Sequence, residues 1–435
     1  TAATTATQTI NSGDTITGGD GTDTLLITNS LSGGGTLGAG VTVSGVENVK
    51  VNAVTTTTID AALMSGVTDF YNNGSLSDIT VNSAAFIPNV HVTSSSSDTT
   101  VNVDAATRVG LTDAATIALT GASLTSASTV TMNGIETFNV VASGTASGSA
   151  TLSTTLASDT LKTVAITGDA SSNITVNLAG ATTTAAGSIS GSDATNRVTL
   201  TADAADTISV DLGKGDDTLT IGSISATHTL AGGDGTDTLA STAAITTTTG
   251  ANISGFEKAS VGAVSVALPT ASNTISDVTF TSAGGTLAGL SAGGTVTQAL
   301  GGSNTVSNTT GWTGSSDAIT VNVGSALAAG TLTQSLTATG IETATITNTE
   351  ISTTNSARTV GVTGANLTTA TVNSAGTGTI TFVGGGTAMT ELDMSGVSGA
   401  SVFTASTTNT KSTGFTFKAG AKASTLTGLT GADTL

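Results

Sequence analysis

The chain has 435 residues, of which only 3% are aromatic and 9% charged, and 29 acids against ten bases give a net charge of −19. Scarce Glu, Lys, Arg and Gln exclude a helical bundle, and the absence of cysteine excludes a disulfide scaffold. No basic patch is present to recruit nucleic acid, and no apolar run approaches the roughly 18 residues of a membrane helix.

Taken in chain order, short strand-like runs recur from end to end: TLLIT (24–28), VTVSG (41–45), ENVKVNA (47–53), DITVNS (78–83), NVHVTS (89–94), TTVNVD (99–104), TFNVVA (137–142), DTISVDL (206–212), AITVNVG (318–324) and TITFVGG (379–385). Val, Ile and Leu alternate with Thr, Asn and Ser, a period of two that turns one face inward and one outward. Glycine-rich turns separate the runs, and Pro88 and Pro269 are the only prolines. Hairpin signals are few: Asn-Gly occurs at Asn73-Gly74 and Asn133-Gly134. The pattern therefore predicts an all-β chain, a calcium-stabilised right-handed parallel β-solenoid with segments resembling β-rolls, not a sandwich of hairpins. Coils of roughly 20 residues are expected, stacked at about 4.8 Å.

Aspartates gather where glycines do. In NSGDTITGGDGTDTLLI (11–27), Asp14, Asp20 and Asp23 fall within ten residues, and Asp14 stands nine before Asp23. Each of these two is followed, two residues on, by an apolar side chain. Such nonapeptides of glycine turn, aspartate and inward apolar residue are the signature of calcium-binding parallel β-helices. GGDGTDTL occurs in full twice, at 18–25 and 232–239, and KGDDTLTI (214–221) and GLTGADTL (428–435) are degenerate copies. Calcium takes six to eight hard oxygens, which carboxylates and glycine-turn carbonyls supply. The expected ligand set is Asp14, Gly18, Asp20, Gly21, Asp23, Asp206, Gly215, Asp216, Asp217, Gly232, Asp234, Gly235, Asp237 and Asp433. About ten divalent ions would offset the charge excess. Asp217 and Asp237 are twenty residues apart, so one motif is expected above the other after a full coil.

A second motif, G-[VIF]-E before a strand, recurs as VSGVENVKV (43–51), MNGIETFNV (132–140), ISGFEKASV (253–261) and ATGIETATI (338–346). Glu47, Glu136, Glu257 and Glu342 mark one recurring place. They serve either as caps of backbone N–H groups at a coil corner or as calcium ligands.

These segments resemble the RTX surface-layer proteins of Gram-negative bacteria, the Caulobacter type in particular. GDDTLTIGSISATHTLAGGDGTDTL with ISGFEKASV is similar to that family's calcium segment, and SDAITVNVGSALAAGTLTQSLTATGIETATI to the segment near its C-terminal end. The resemblance implies export by type I secretion, folding outside the cell with calcium, and a two-dimensional lattice of copies on the cell surface. The family's helical region, which binds lipopolysaccharide, and its secretion segment are not recognisable here. Three regions are expected: a first solenoid over 1–202 with its calcium turn at 11–27, a calcium segment over 203–260, and a second solenoid over 261–435. No signal peptide is visible in TAATTATQTI, and the chain reads as a region of something longer.

An enzyme is not expected. Gly289-Leu290-Ser291-Ala292-Gly293 fits G-x-S-x-G, but no helix signal follows and both histidines precede the serine. Gly33 to Gly38 fits a dinucleotide fingerprint, but a strand and not a helix follows. His91 and His228 are lone histidines in strand contexts. The alternative is a calcium-binding adhesin or matrix protein. Regular T-x-T ladders at fixed spacing, which that reading needs, are not found in the sequence.

Overall fold

The protein is described by a computed structural model over residues 9–30, 35–37, 39–121, 128–144, 151–178, 186–202, 206–299, 301–307, 312–324, 332–349, 357–405, 413–427 and 432–434. Among these residues there are strands and turns and no helix. The chain forms two compact units, Thr1–Thr220 with Thr227–Gly235, and Ile221–Ala226 with Thr236–Leu435. The boundary between them thus runs inside the 203–260 segment.

Unit 1 is a parallel β-solenoid. One sheet stacks, among others, Thr24–Asn29, Asn48–Ala53, Asp69–Asn73, Asn89–Thr93, Ala114–Gly121, Thr137–Gly144 and Thr163–Gly168, each parallel to the next. The returning sheet stacks Gly35–Leu37, Thr57–Asp60, Ile79–Ala84, Thr99–Val103, Ser128–Thr131, Thr151–Ala157, Ser171–Asn177 and Asn196–Thr201, again all parallel. A short third sheet joins Thr15–Thr17, Thr42–Ser44 and Met64–Ser65 at the start. Successive strands alternate between sheets, which is the winding of a solenoid.

Unit 2 is built the same way. Lys258–Val261, Ile275–Phe280, Leu290–Gln298, Ala318–Val323, Thr343–Asn348, Thr369–Ser374 and Glu391–Val397 form one parallel sheet. Ser265–Ala267, Thr286–Ala288, Gly302–Ser307, Leu332–Ala338, Arg358–Thr363, Ile380–Gly384, Ser401–Ala405 and Ser424–Thr427 form the other.

The period-two pattern is what closes the core. In NVKVNA, Val49, Val51 and Ala53 are buried while Asn48, Lys50 and Asn52 face outward. Because the strands are in register, Val49, Phe70, Val90, Ile117, Val140 and Ile166 stack as one internal column, each at most 2% exposed. Burying each such side chain contributes about 1.5–3 kcal/mol. In unit 2, Ala259, Val278, Val296, Val321, Ile346 and Val372 form the corresponding column. Aromatic residues fill the later coils, where the Phe403 ring lies 5.4 Å from Phe415 and 6.0 Å from Phe382.

Coil length is not constant. Hydrogen bonds between neighbouring coils span 20 residues from Asn89 to Asp69 and 31 from Thr129 to Asp98. Most strand pairs keep one register along their length, with shifts between Val101 and Val103, Ile275 and Asp277, and Thr371 and Asn373.

Candidate functional site

The glycine–aspartate motifs at 18–25, 214–221 and 232–239 lie at coil corners, immediately before strands. Asp14 precedes Thr15–Thr17 and Asp23 precedes Thr24–Asn29, strands of different sheets, so the two nonapeptides supply two corners of one coil. Asp14 is exposed, and its carboxylate accepts the Asn11 N–H of its own turn at 2.8 Å. Asp20 is also exposed. Gly18 rests against the next coil, where a Cβ would strike the Gly45 carbonyl. Gly21 has a φ of 115°, the left-handed region that favours glycine.

Asp23 differs. Its backbone N–H donates to Glu47 Oε2 at 2.8 Å, and its carbonyl accepts from Asn48 N–H at 3.0 Å. Its Oδ2 is sealed from solvent and accepts no hydrogen bond. An unsatisfied buried polar atom costs about 1–3 kcal/mol, more when charged, which makes this oxygen a candidate cation ligand.

In unit 1 the second cluster stacks three turns. Asp234 N–H donates to the Gly213 carbonyl at 2.9 Å, and Lys214 pairs with Asp234 in parallel register, so the twenty-residue spacing of the motifs is one coil. A Cβ on Gly233 or Gly235 would collide with the carbonyl of Gly213 or Gly215 below it, and the φ angles of Gly213, Gly215, Gly233 and Gly235 all lie between 90° and 143°. Asp217 is 1% exposed, and its Oδ1 accepts the Asn196 backbone N–H of the preceding coil at 2.6 Å. Asp216 and Asp234 are exposed, while Gly232 is buried. Asp206 is 6% exposed, and its carbonyl accepts the Thr227 hydroxyl at 2.6 Å. In unit 2, Asp237 is fully buried at 0% exposure and donates its N–H to Glu257 Oε2 at 2.8 Å. Asp433 lies in the strand Ala432–Thr434, but its side chain falls outside the described residues, as does Asp203 of the sequence cluster.

All four recurring glutamates act as corner caps. Glu47, Glu136, Glu257 and Glu342 accept the backbone N–H of Asp23, Asp113, Asp237 and Asp317, at 2.8, 3.0, 2.8 and 2.8 Å. Each glutamate sits one coil after its aspartate, so the motif ties neighbouring coils together. Asp113 and Asp317 were not legible as partners, since neither follows a GGDG turn. Asp317 also spends its Oδ2 on the Gly314 N–H at 2.9 Å, which distinguishes it from Asp23.

Among the described residues, no three Asp, Glu, His or Cys side chains gather where they could hold one metal ion. The donor type at the first corner, a buried carboxylate oxygen of Asp23, is one a hard cation accepts.

Away from the corners, an outer-face ladder escapes sequence inspection. His91 pairs with Asp69 at 2.6 Å and stacks on Tyr71 with ring centroids 4.0 Å apart, while Lys50 Nζ lies 4.8 Å above the Tyr71 ring. Burial raises the Asp69 carboxyl, but hydrogen bonds from Thr68, His91 and Asn89 and the His91 charge outweigh it and hold the group below the ordinary carboxylate value. Threonine ladders are also present. Thr295, Thr320, Thr345 and Thr371 stand in register on successive coils of unit 2. Ser291 of the G-x-S-x-G string lies within the strand Leu290–Gln298.

No protein-family model matches the chain. No curated protein matches it either.

Proposed function

We propose that the chain is a structural segment of a secreted bacterial surface-layer protein, which folds with calcium outside the cell and assembles with copies of itself into a two-dimensional lattice. The observation that carries this reading is the sealed, unpartnered Oδ2 of Asp23 at a glycine corner. Calcium would be held there by that oxygen with turn carbonyls, and at the corners of Asp217 and Asp237, whose carboxylates are buried. Extracellular modules bind calcium at about 10⁻⁴–10⁻³ M, so the ion would be bound outside the cell and not in the cytosol. A site at ten times its dissociation constant adds about 1.4 kcal/mol to the folded state. Several sites supply a large part of a marginal stability of about 5–15 kcal/mol. Without the ion, a net charge of −19 opposes compaction and association. Anchoring to lipopolysaccharide belongs to a region not recognisable in this chain.

The test is thermal unfolding of the chain in millimolar calcium and in EGTA. A large rise in the unfolding temperature with calcium supports the reading, and identical curves sink it. A second reading, a calcium-binding adhesin or matrix protein, is favoured by the in-register threonines of unit 2. It predicts a chain that stays monomeric in calcium and binds an external surface.

A further inference from the structure

Among the described residues, the exposed large apolar side chains fall in unit 1, save Val383, and four of them make two patches. Val109 and Leu111, 69% and 73% exposed, form the first. They flank Gly110, whose φ of 120° turns the chain outward, and a Cβ there would meet nothing within 4 Å. The turn is held from both sides. Thr107 and Arg108 donate their N–H groups to the Asp104 carbonyl at 2.9 and 3.2 Å, and Arg108 Nε donates to the Val103 carbonyl at 3.1 Å. On the far side the Asp113 N–H donates to Glu136 Oε2 of the next coil at 3.0 Å. Two apolar side chains thus face solvent on a fixed turn.

Val54 and Leu76, 41% and 77% exposed, form the second patch. The Val54 N–H donates to the Asn29 carbonyl and the Leu76 N–H to the Ala53 carbonyl, each at 2.9 Å, so the two stand at the same corner of neighbouring coils. The patches lie on opposite edges of unit 1. Val54 and Leu76 follow Asn48–Ala53 and Asp69–Asn73 of the first sheet and lead into the returning one. Val109 and Leu111 follow Thr99–Val103 of the returning sheet and lead back into Ala114–Gly121 of the first. Their heights along the solenoid nearly agree, because Asp69–Asn73 pairs directly with Asn89–Thr93, the strand just before Thr99–Val103.

We propose that the Val109–Leu111 turn of one copy packs on Val54 and Leu76 of a second copy lying beside it, and that this contact builds one row of the lattice. Exposed apolar patches mark interaction sites. A second copy is the occupant because a chain of net charge −19 repels its like across acidic surface, and each copy carries both halves of an uncharged contact. A contact between two different patches leaves one of each free on every pair, so further copies add. Patches on opposite edges direct them into an open row and not a closed pair. Four side chains cover far less than the roughly 1,200–2,000 Å² of a stable pair, so the contact acts within the lattice, where many act together. This inference rests on the lattice reading above.

Two variants of the full chain test it in millimolar calcium, by light scattering and electron microscopy. A turn variant carries Val109→Ser and Leu111→Ser, and a patchless variant adds Val54→Ser and Leu76→Ser to those two. The turn variant is expected to form no sheets. Mixed in small proportion with wild type, it is expected to slow sheet growth several-fold, because its intact Val54 and Leu76 cap a growing row. The patchless variant is expected neither to assemble nor to slow the wild type. All four positions are exposed, so the unfolding temperature should match wild type. Should the double change in the turn lower it, Leu111→Ser alone carries the same test. A turn variant that assembles as wild type does, or slows it no more than the patchless variant, overturns the proposal and leaves the lattice reading standing. Wild type that stays monomeric in calcium sinks the lattice reading, and the proposal with it.

Discussion

Glu257 accepts the backbone N–H of Asp237 at 2.8 Å across neighbouring coils, and Asp237 in turn accepts the N–H groups of Glu257 and Lys258 at 3.1 and 2.9 Å. The side chain of one coil and the backbone of the other are thereby locked in a fixed phase. The same exchange joins Asp317 to Glu342 and Asp113 to Glu136. Replacing Glu257 with Ala strands the N–H of a fully buried residue, for a cost of about 1–3 kcal/mol. Denaturant unfolding should show that loss. Glu257→Gln, which keeps an acceptor oxygen, should recover most of it, and a Gln variant as weak as the Ala variant would mean that charge, not the hydrogen bond, is what matters.

Asp23 and Asp317 receive the same glutamate cap and yet differ at the second carboxylate oxygen. Asp23 Oδ2 is sealed and unpartnered, whereas Asp317 Oδ2 holds the Gly314 N–H. Asp23→Asn should therefore weaken calcium binding at its corner by tenfold or more, and Asp317→Asn should leave it unchanged. Titration calorimetry on both variants checks this contrast. Equal effects from the two would remove the basis for assigning the ion to the glycine–aspartate turns.

Acid should loosen unit 1 through Asp69. The folded-state value of this carboxyl lies below its ordinary one, so its contribution is present above the unfolded value of about 3.9 and is lost as pH falls through the lower folded value. The unfolding temperature of wild type should drop in that range more steeply than that of Asp69→Asn. Parallel pH profiles for the two would place the acid sensitivity elsewhere. Asp393 in unit 2 follows the same sign. Burial raises it, but bonds from Ser395 and the Lys418 charge and hydrogen bond prevail.

The solenoid was legible because alternation in runs such as NVKVNA depends only on local sequence, and every one of those residues keeps the face its pattern implies. The repeated G-[VIF]-E was legible as a motif, and capping was one of two readings for it. Its partners were not, because Asp113 and Asp317 lie 23 and 25 residues upstream in coils without a distinctive turn. Thr295, Thr320, Thr345 and Thr371 follow one another at 25, 25 and 26 residues, but in a chain so rich in threonine nothing local marks these four, and only hydrogen-bonded register shows that they stack. Likewise His91, a lone histidine in sequence, finds Asp69 and Tyr71 only once the 20-residue coil between them has closed.

Calcium-gated self-assembly is tested most directly by electron microscopy of the purified protein, incubated in millimolar calcium and, in parallel, in excess EGTA. Ordered two-dimensional sheets in calcium, and none in EGTA, are the expected result. Sheets that form equally well in EGTA would contradict it and leave the glycine–aspartate turns as structural corners alone.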